Sequence, residues 1–296
     1  GCSVRYAWML AHAMEYSIRM MCRVLNVSTG GYYAWKKRKP SAQQQRGEQF
    51  TDAVETFHED SKGAYGYRKI HEDIIEGFDV PCCLETVRRI MKDKGLRSTR
   101  GRKFVVTTDS NHTMPVAENI LDRNFEADAP NEKWVTDITF IPTHQGWTCL
   151  ATVMDLFARR IVGWATSTRI DTALISEALH KAIKERPPEE GLLHHSDRGS
   201  QYASKGYRKT LKLFKMKCSM SRKGNCWDHA HMERFFSSLK SEWLRDKMFP
   251  THEAATTAIF EYIETFYNPK RRHQTLGYQS PIQYENNMKL QQTLAA

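Results

Sequence analysis

The sequence predicts a mixed α/β core that follows a small all-α region. Up to about residue 105, apolar residues recur at helical spacing between turn signals. From Lys133 onward, short apolar or alternating runs typical of strands are interspersed with helical segments. The length of 296 residues fits about two domains, and 40% apolar content is enough for a packed core.

Residues 1–38 are predicted to form short helices. In MCRVLNVSTGGYYAW, an apolar helical stretch leads into a Ser-Thr-Gly-Gly turn and then into aromatic residues, which fits half of a helix-turn-helix. A small helical hairpin that packs elsewhere fits the pattern equally well, and both interpretations stay open. The polar stretch from Lys36 to Arg46, with Pro40 and a run of glutamines, predicts a linker.

Residues 45–105 are predicted to form a helix-turn-helix-like DNA-binding domain. The first helix contains Phe50, Val54 and Phe57, the second follows GAYGYRKI, and the third opens at Val80 and closes at Gly95. The third helix is the most basic, as a DNA-recognition helix would be. A solvated charged face on a helical linker is the alternative. The DNA-contacting residues predicted here are Arg68, Arg88, Arg89 and Lys92.

Residues 106–131 are predicted to be a linker, the main part of an extended connector that starts near residue 98. The segment is polar, contains Pro115 and Pro130, and has few periodic apolar residues.

Residues 132–290 are predicted to form the α/β core. KWVTDITFIP, WTCLATVMDL and ARRIVGWATS are three strands with short turns, which predicts an antiparallel meander. A helix capped by Asp171, the strand GLLHHS, a second helix, the strand KMKCSMS and a helix with Asp228 as its N-cap follow, and a further helix covers about 252–267. This order is that of a ribonuclease H-like sheet with helices on both faces.

Charge and composition narrow the possible partners. The formal net charge of +10 predicts attraction to a polyanion, most often nucleic acid. No apolar run approaches the roughly 18 residues of a membrane span, and no signal peptide is visible, so no membrane association and a cytoplasmic location are expected. Seven cysteines without a CxxC pair predict a reduced compartment and no structural zinc.

Three acidic residues are the candidate catalytic and metal-binding residues: Asp137, Asp197 and Glu233. Asp137 lies within a predicted strand, Asp197 directly follows one, and Glu233 lies at the edge of a helix with Lys240 two turns further on. Carboxylates that converge from separate elements suit Mg²⁺, and a pair of such ions supports in-line phosphodiester displacement. With 34 acidic residues in the chain, however, some triple at a suggestive spacing is expected by chance.

The segments around these residues resemble the sequence motifs of a known protein family. NFEADAPNEKWVTDITFI, HHSDRGSQYAS, SRKGNCWDHAHMERFFSSLKSEW and YNPKRRHQTLGYQSPIQYE resemble, in this order, the signatures of the insertion sequence 3 family of bacterial transposases, in the part encoded by the second reading frame. The resemblance implies an integrase-like catalytic core of ribonuclease H fold. It assigns Asp137, Asp197 and Glu233 to the catalytic triad, with thirty-five residues between the last two. Lys240, at a basic position two helical turns after the glutamate, is the fourth residue predicted to be catalytic.

The same resemblance implies the reaction and its partners. With two Mg²⁺ or Mn²⁺ ions, the protein is expected to cleave a strand at the element's end and to join the resulting 3′-hydroxyl to another phosphodiester. Double-stranded DNA is the expected partner, with Arg198 and Arg271 as further contacts. Homo-oligomerisation on DNA and fusion or partnership with a first-frame helix-turn-helix protein are also expected.

Two departures from the family pattern lie beside Glu233. His229 stands where the family often has Asn, and Arg234 stands where it often has Ser. They leave open a catalytically impaired DNA-binding protein or repressor as an alternative. A nuclease for RNA–DNA hybrids is a weaker alternative, because the helical N-terminal region disfavours it. His195 is expected to orient Asp197, to contact DNA or to pack in the core.

Overall fold

The computed structural model describes residues 1–77, 81–99, 116–222, 226–245 and 247–295. Several sequence-based expectations lie outside these described residues: the helix start at Val80, the basic residues Arg100, Arg102 and Lys103, and the linker as far as Pro115. The chain divides into two compact units, Gly1–Thr56 and Phe57–Ala296. Within the described residues, every helix is too short or too polar to span a lipid bilayer.

The first unit is helical. Its elements are α1 (Cys2–Ala11), α2 (Ile18–Val24), α3 (Thr29–Lys37) and the first part of α4 (Ala42–Asp60). Their buried cluster consists of Met9, Met21, Cys22 and Tyr32. The side chain of Ser28 caps α3 by accepting a hydrogen bond from the Gly31 amide at 2.9 Å. A β-carbon at Gly31 would clash with the hydroxyls of Tyr6 and Ser28, so glycine permits the close approach there.

The linker predicted from Lys36 to Arg46 is shorter in the structure. Only residues 38–41 separate α3 from α4, and the glutamine run lies within α4. Glutamine and alanine are good helix formers, which explains why this polar stretch continues as helix instead of loop.

The second unit begins with the end of α4, followed by α5 (Tyr67–Gly77) and α6 (Leu84–Asp93). Each helix has a narrow buried face, Ile70 and Ile74 in α5 and Val87 and Met91 in α6. The opposite face of α6 exposes its basic side chains to solvent.

Arg272 attaches α5 to the C-terminal part of the same unit. Its Nε donates a hydrogen bond to Asp73 at 2.6 Å, and its Nη2 donates one to Glu76 at 2.6 Å. The Tyr65 hydroxyl accepts from the Arg272 amide at 2.9 Å and donates to the Lys270 carbonyl at 3.0 Å. Because Arg272 is buried, these contacts hold α5 in one orientation on the core.

The core contains a five-stranded mixed sheet. Its strands are β1 (Lys133–Thr143), β2 (Gly146–Asp155), β3 (Arg160–Ser167), β4 (Leu193–Ser196) and β5 (Lys217–Met220). Their spatial order is β3-β2-β1-β4-β5. The pairs β1–β2 and β2–β3 are antiparallel, and the pairs β1–β4 and β4–β5 are parallel. The predicted antiparallel meander, followed by alternating helix and strand, is confirmed.

Helices cover both faces of the sheet. On one face, α7 (Thr172–Glu185) and α8 (Lys205–Leu213) share a buried cluster with the strands that includes Trp134, Val153 and Leu179. The other face carries α9 (Ala230–Ser238), which continues as a π-helical turn Leu239–Leu244, and α10 (His252–Phe260), which continues as a π-helical segment Glu261–Tyr267. A final helix, α11 (Pro281–Ala295), extends beyond those that the sequence patterns predicted.

The last part of the predicted linker packs on the core. Leu121 is buried, and the amides of Ile120 and Leu121 both donate to the Ser219 hydroxyl, at 2.9 and 3.2 Å. Asn119 donates to Asp228 at 3.0 Å. Residues 116–124 therefore form a wall of the core. The sequence did not predict this role, because the segment has few apolar residues and is held to the core mostly by polar hydrogen bonds.

Candidate active site

Asp137 and Asp197 are brought together by the parallel pairing of β1 with β4. The pairing aligns Trp134 with His194 and Val135 with His195. Continued by two residues, just beyond the end of β4, the same register would set Asp197 opposite Asp137, where neighbouring strands lie roughly 4.8 Å apart. Because side chains alternate between faces along a strand, the two carboxylates point to the same face of the sheet, the one covered by α9.

The electrostatics of Asp137 reflect this neighbourhood. Desolvation raises the pKa of the Asp137 carboxyl well above its ordinary value, and the negative charges of Asp197 and Glu233 raise it further. The Ile138 amide and the Lys240 ammonium oppose these effects. The other three residues predicted to be catalytic therefore all lie within electrostatic reach of Asp137.

Short hydrogen bonds fix the two aspartates locally. The Ile138 amide donates to Asp137 Oδ1 at 2.7 Å, and the Gly199 amide donates to Asp197 Oδ1 at 2.9 Å. A β-carbon on Gly199 would lie 3.0 Å from Asp197 Oδ1 and 2.9 Å from Gln201 Oε1. Glycine at this position thus allows the turn after β4 to fold tightly around the carboxylate.

Glu233 reaches the site from α9. Met232, Phe235 and Phe236 are buried on the core-facing side of this helix, and Glu233 lies at its edge, partly exposed. Desolvation raises the pKa of the Glu233 carboxyl. Lys240 lies two turns further on, in the π-helical turn that follows α9.

The fit of a metal ion rests on the chemistry of these donors. Desolvation and the negative charges of Asp197 and Glu233 disfavour the ionised form of Asp137, and a divalent cation held by these hard carboxylate donors would relieve both effects. Among the residues that the structure describes, no three His, Cys, Asp or Glu side chains are close enough together to hold a metal ion as they stand.

Asp228 differs from its prediction as a helix N-cap. The residue before α9 is His229, which makes no capping hydrogen bond, and Asp228 lies in a preceding 3-10 turn. The buried Asp228 carboxylate instead accepts hydrogen bonds from the Asn119 side chain and the Arg222 amide, both at 3.0 Å. Asp228 thus joins the last part of the predicted linker to the loop after β5. No local sequence pattern predicts this role.

His229 and His195 form a buried pair next to the site. Their ring centroids lie 5.2 Å apart, and His195 Nδ1 lies 2.8 Å from the Ser219 hydroxyl. Neither ring nitrogen of His229 has a hydrogen-bond partner in the part of the chain that the structure describes. Burial lowers the pKa of His229, although Asp197 and Asp228 act against this shift. Of the three roles expected for His195, packing is the one its burial favours.

Tyr202 is a neighbour of the site that sequence reasoning missed. Its fully buried hydroxyl lies 3.3 Å from the Thr136 hydroxyl, and burial followed by the Asp197 charge raises its pKa well above the ordinary value. The only sequence signal was its place in HHSDRGSQYAS, five residues after Asp197.

The predicted DNA-contacting residues have different surroundings. Arg68, Arg88, Arg89 and Lys92 are exposed, and Arg88 forms a surface ion pair with Glu85 at 3.1 Å. Arg198 is partly buried and donates to the Ser221 carbonyl at 2.6 Å. The Arg271 guanidinium is held inside the core by Glu242 and Ser238. These contacts favour an internal role for Arg271.

Comparison with protein families agrees with the architecture. Residues 127–226 and 233–290 match two integrase core domain models, and residues 45–104 match a helix-turn-helix-like domain model. The first integrase core match begins before β1 and ends before α9, and the second begins within α9 and ends within α11.

Two curated relatives match almost the whole chain. An uncharacterised 31 kDa protein of insertion element IS600 from Shigella sonnei is 40% identical over 264 residues, which cover 89% of this chain and 97% of the relative. The transposase InsF of insertion sequence IS3A from Escherichia coli (strain K12) is 38% identical over 286 residues, which cover 96% of this chain and 99% of the relative.

Solved structures similar to the chain include two viral integrases. The catalytic core domain of HTLV-2 integrase, in complex with magnesium, has a TM-score of 0.42 and 17% identity, covering 54% of this chain and 99% of that one. The simian T-cell lymphotropic virus intasome, in complex with the PP2A regulatory subunit B56γ, has a TM-score of 0.45 and 15% identity, covering 78% and 74%.

The sequence matches carry the assignment, and they confirm the family resemblance read from the motifs around Asp137, Asp197 and Glu233. The helix-turn-helix-like match likewise agrees with the all-helical region ahead of the sheet. The chain belongs to the IS3 family of transposases and contains an integrase core domain.

Proposed function

We propose that the protein cleaves and joins DNA strands at the ends of an insertion sequence, with Asp137, Asp197 and Glu233 as its catalytic carboxylates. The observation that supports this proposal is the effect of Asp197 and Glu233 on Asp137: both carboxylates raise its pKa in addition to desolvation. Repulsion between partly buried carboxylates from a strand, a loop and a helix destabilises the fold. A purely structural role therefore does not explain why these three acids lie near one another.

Asp137, Asp197 and Glu233 are the residues that would hold Mg²⁺ or Mn²⁺, as two ions. When bound, the ions would activate the attacking oxygen and stabilise the leaving oxygen of the phosphodiester. Hard carboxylate donors suit either cation.

Lys240 is proposed to bind a phosphate next to the reacting one. It lies near enough to Asp137 to lower that carboxyl's pKa, yet it extends from the turn after α9. Its ammonium group therefore offsets part of the negative charge that the DNA brings. Gly199 and Ile138 support the reaction by holding the aspartates through their amides.

DNA binding is proposed to involve the exposed basic face of α6. Arg88, Arg89 and Lys92 lie on this face, opposite Val87 and Met91. In a helix-turn-helix-like domain such a face contacts DNA phosphates and base edges. Arg68, exposed on α5, and Arg198, beside Asp197, are proposed as additional phosphate contacts.

The partners and location follow from the proposed reaction. Pairing two element ends for joining requires more than one active site, so we propose a homo-oligomer on double-stranded DNA. A first-frame helix-turn-helix protein, fused or separate, remains a proposed partner. The substrate is bacterial DNA, which sets the reaction in the cytoplasm.

A strand-transfer assay tests the catalytic proposal. DNA carrying the inverted repeats that flank the gene is incubated with Mg²⁺ and with the Asp137→Ala, Asp197→Ala or Glu233→Ala variant. Each variant is expected to lose cleavage and joining while still binding the DNA. Glu177→Ala, a surface carboxylate of α7 paired with Lys181, is the matched control and retains activity. Full activity in all three variants would refute the proposal.

A second candidate is a DNA-binding repressor with impaired catalysis. The buried His229, whose ring nitrogens have no partner among the described residues, favours it, since an unsatisfied group beside Asp197 disturbs the site. The His229→Asn variant distinguishes the two. An inactive protein that gains strand transfer on this change supports the second candidate, and a protein already active before the change excludes it.

A further inference from the structure

A cavity of about 200 Å³ opens beside the candidate active site. Its described lining residues are Phe140, Ile141, Pro142, Trp147, Lys240, Leu244 and Lys247. Two ammonium groups and no carboxylate occur among them, while the remaining walls are aromatic or aliphatic. An apolar slot flanked by cations matches a ligand that is flat and apolar in one part and anionic in another.

Trp147 is the most unusual residue of this wall. It lies at the start of β2, and 58% of its surface is exposed, although tryptophan is usually buried in a core. Its ring meets the Phe140 ring edge-to-face, with centroids 6.2 Å apart and planes at 84°. Phe140 thus supports the indole from one side, and part of the indole surface stays open to solvent.

The cavity is rigid on the side of the β1–β2 hairpin. Cross-strand pairing sets Trp147 opposite Pro142 at the end of the hairpin. The chain that follows Lys247 is attached to the same hairpin: the His144 amide donates to the Phe249 carbonyl at 2.8 Å, and the Phe249 amide donates to the Pro142 carbonyl at 3.2 Å. Trp147 and Lys247 therefore line the cavity from two segments that backbone hydrogen bonds join to each other.

Lys240 connects the cavity to the catalytic carboxylates. It lines the cavity, and its charge also lowers the pKa of Asp137 against the larger opposing effects of desolvation and Asp197. Along β1, Ile141 lies four positions after Asp137, a distance of roughly 13 Å. A DNA strand whose phosphate reacts at Asp137 therefore has its neighbouring nucleotides within reach of the cavity.

We propose that this cavity binds an unstacked nucleobase of the strand that occupies the active site, an inference that rests on the function proposed above. The base stacks on Trp147 next to Phe140, and Lys240 and Lys247 contact the phosphates on its two sides. Aromatic stacking of this kind tolerates any base, because every base has a π-face. The cavity thereby holds the strand open next to the reacting phosphodiester.

Fluorescence binding with the whole 296-residue chain tests this inference. The probe is a duplex that ends in a short single-stranded overhang, with 2-aminopurine at one overhang position at a time, compared with the same duplex with a blunt end. The unmodified protein is expected to bind the overhang more tightly and to quench 2-aminopurine at one position. Overhangs of 3′ and 5′ polarity show on which side of the reacting phosphate the base lies.

The Trp147→Ala variant is expected to lose the quenching and to bind the overhang about fivefold to a hundredfold more weakly, with blunt-end affinity unchanged. Trp147→Phe should retain most of the preference, because it keeps an aromatic face. Phe260→Ala removes another exposed aromatic side chain, from α10, and should change nothing. Thermal unfolding of each variant verifies that it is folded.

Two results would overturn the inference: an unmodified protein that binds overhang and blunt end equally, or a folded Trp147→Ala variant with undiminished quenching and preference. Both are binding measurements in the absence of metal, so they do not depend on catalysis. Failure of the three carboxylate variants to abolish strand transfer would instead refute the proposed function.

Discussion

Arg271 and Glu242 form a two-point ion pair inside the core. Arg271 Nε donates to Glu242 Oε2 at 2.6 Å, and Arg271 Nη2 donates to Glu242 Oε1 at 2.6 Å. Only 11% of each side chain is exposed. The pair connects the segment after the second π-helical stretch to the π-helical turn that carries Lys240. Arg271, which the sequence suggested as a DNA contact, therefore has contacts that favour a structural role next to the site.

Breaking this pair is expected to destabilise the fold. Arg271→Ala should lower the free energy of unfolding by about 3–5 kcal/mol, because it leaves the Glu242 carboxylate buried without a partner. The double variant Arg271→Met/Glu242→Leu, which replaces both charges by apolar side chains, should cost much less. Urea unfolding measures both. A single-variant cost below that of the double variant would contradict the internal role of Arg271.

Neutralising Asp137 is expected to stabilise the metal-free protein. The pKa of Asp137 is raised above its ordinary 3.8, first by desolvation and then by Asp197. As pH rises from that ordinary value through the raised one, the unfolded chain releases a proton that the folded protein retains, so stability falls. At neutral pH, Asp137→Asn should therefore raise the melting temperature, by about 2–4 °C for each kcal/mol of relieved repulsion.

Magnesium provides the control for that measurement. Added Mg²⁺ should raise the melting temperature of the unmodified protein, because a ligand that binds only the folded state stabilises it. The Asp137→Asn variant should respond weakly or not at all. An equal response in both proteins would show that Asp137 does not hold the ion.

Gly163 in β3 is expected to tolerate no side chain. A β-carbon there would meet the Ala178 carbonyl oxygen and would lie 2.6 Å from the Ala182 amide nitrogen, both in the backbone of α7. Gly163→Ala should therefore destabilise the protein by about 1–3 kcal/mol or more. Gly206→Ala, in α8 with only a methyl group of Thr172 at 4.0 Å, should be neutral or stabilising. Equal melting temperatures for the two variants would contradict this packing.

The basic face of α6 should determine part of the salt dependence of DNA binding. Replacing Arg88, Arg89 and Lys92 by Gln should weaken binding and reduce the slope of log K against log salt by about 0.9 for each lost phosphate contact. The control replaces three exposed lysines outside this helix by Gln: Lys181, Lys184 and Lys289. Fluorescence anisotropy across a salt series measures the slopes, and identical slopes in both triple variants would remove α6 from the interface.

The sequence predicts the local elements of the core well. The meander was evident because its strands are connected by turns so short that neighbouring strands can only pair antiparallel. The positions of Asp137 in a strand and of Asp197 just after one follow from apolar runs of the right length. The resemblance of the flanking motifs then selected these acids from the other candidates.

Tertiary relationships were beyond local patterns. The register that sets Asp197 opposite Asp137 depends on how β4 pairs with a strand far away in the chain. Arg271 carries the same charge whether it faces DNA or Glu242, so its partner is a property of the fold alone. Asp228 likewise has the composition of a helix cap, but buried donors from Asn119 and Arg222 compete for its carboxylate.

The attachment of α5 by Arg272 has a consequence for how the protein measures DNA. Asp73 and Glu76 hold α5, and the adjacent α6 with it, to the same compact unit that carries Asp137. If α6 contacts the element's end, the distance from that contact to the cleaved bond is a fixed length of duplex. The position of the cleaved bond is then set by its distance from the α6 contact. If half a helical turn of duplex is inserted between the α6 contact and the cleavage position, the active site meets the wrong bond, on the opposite side of the duplex.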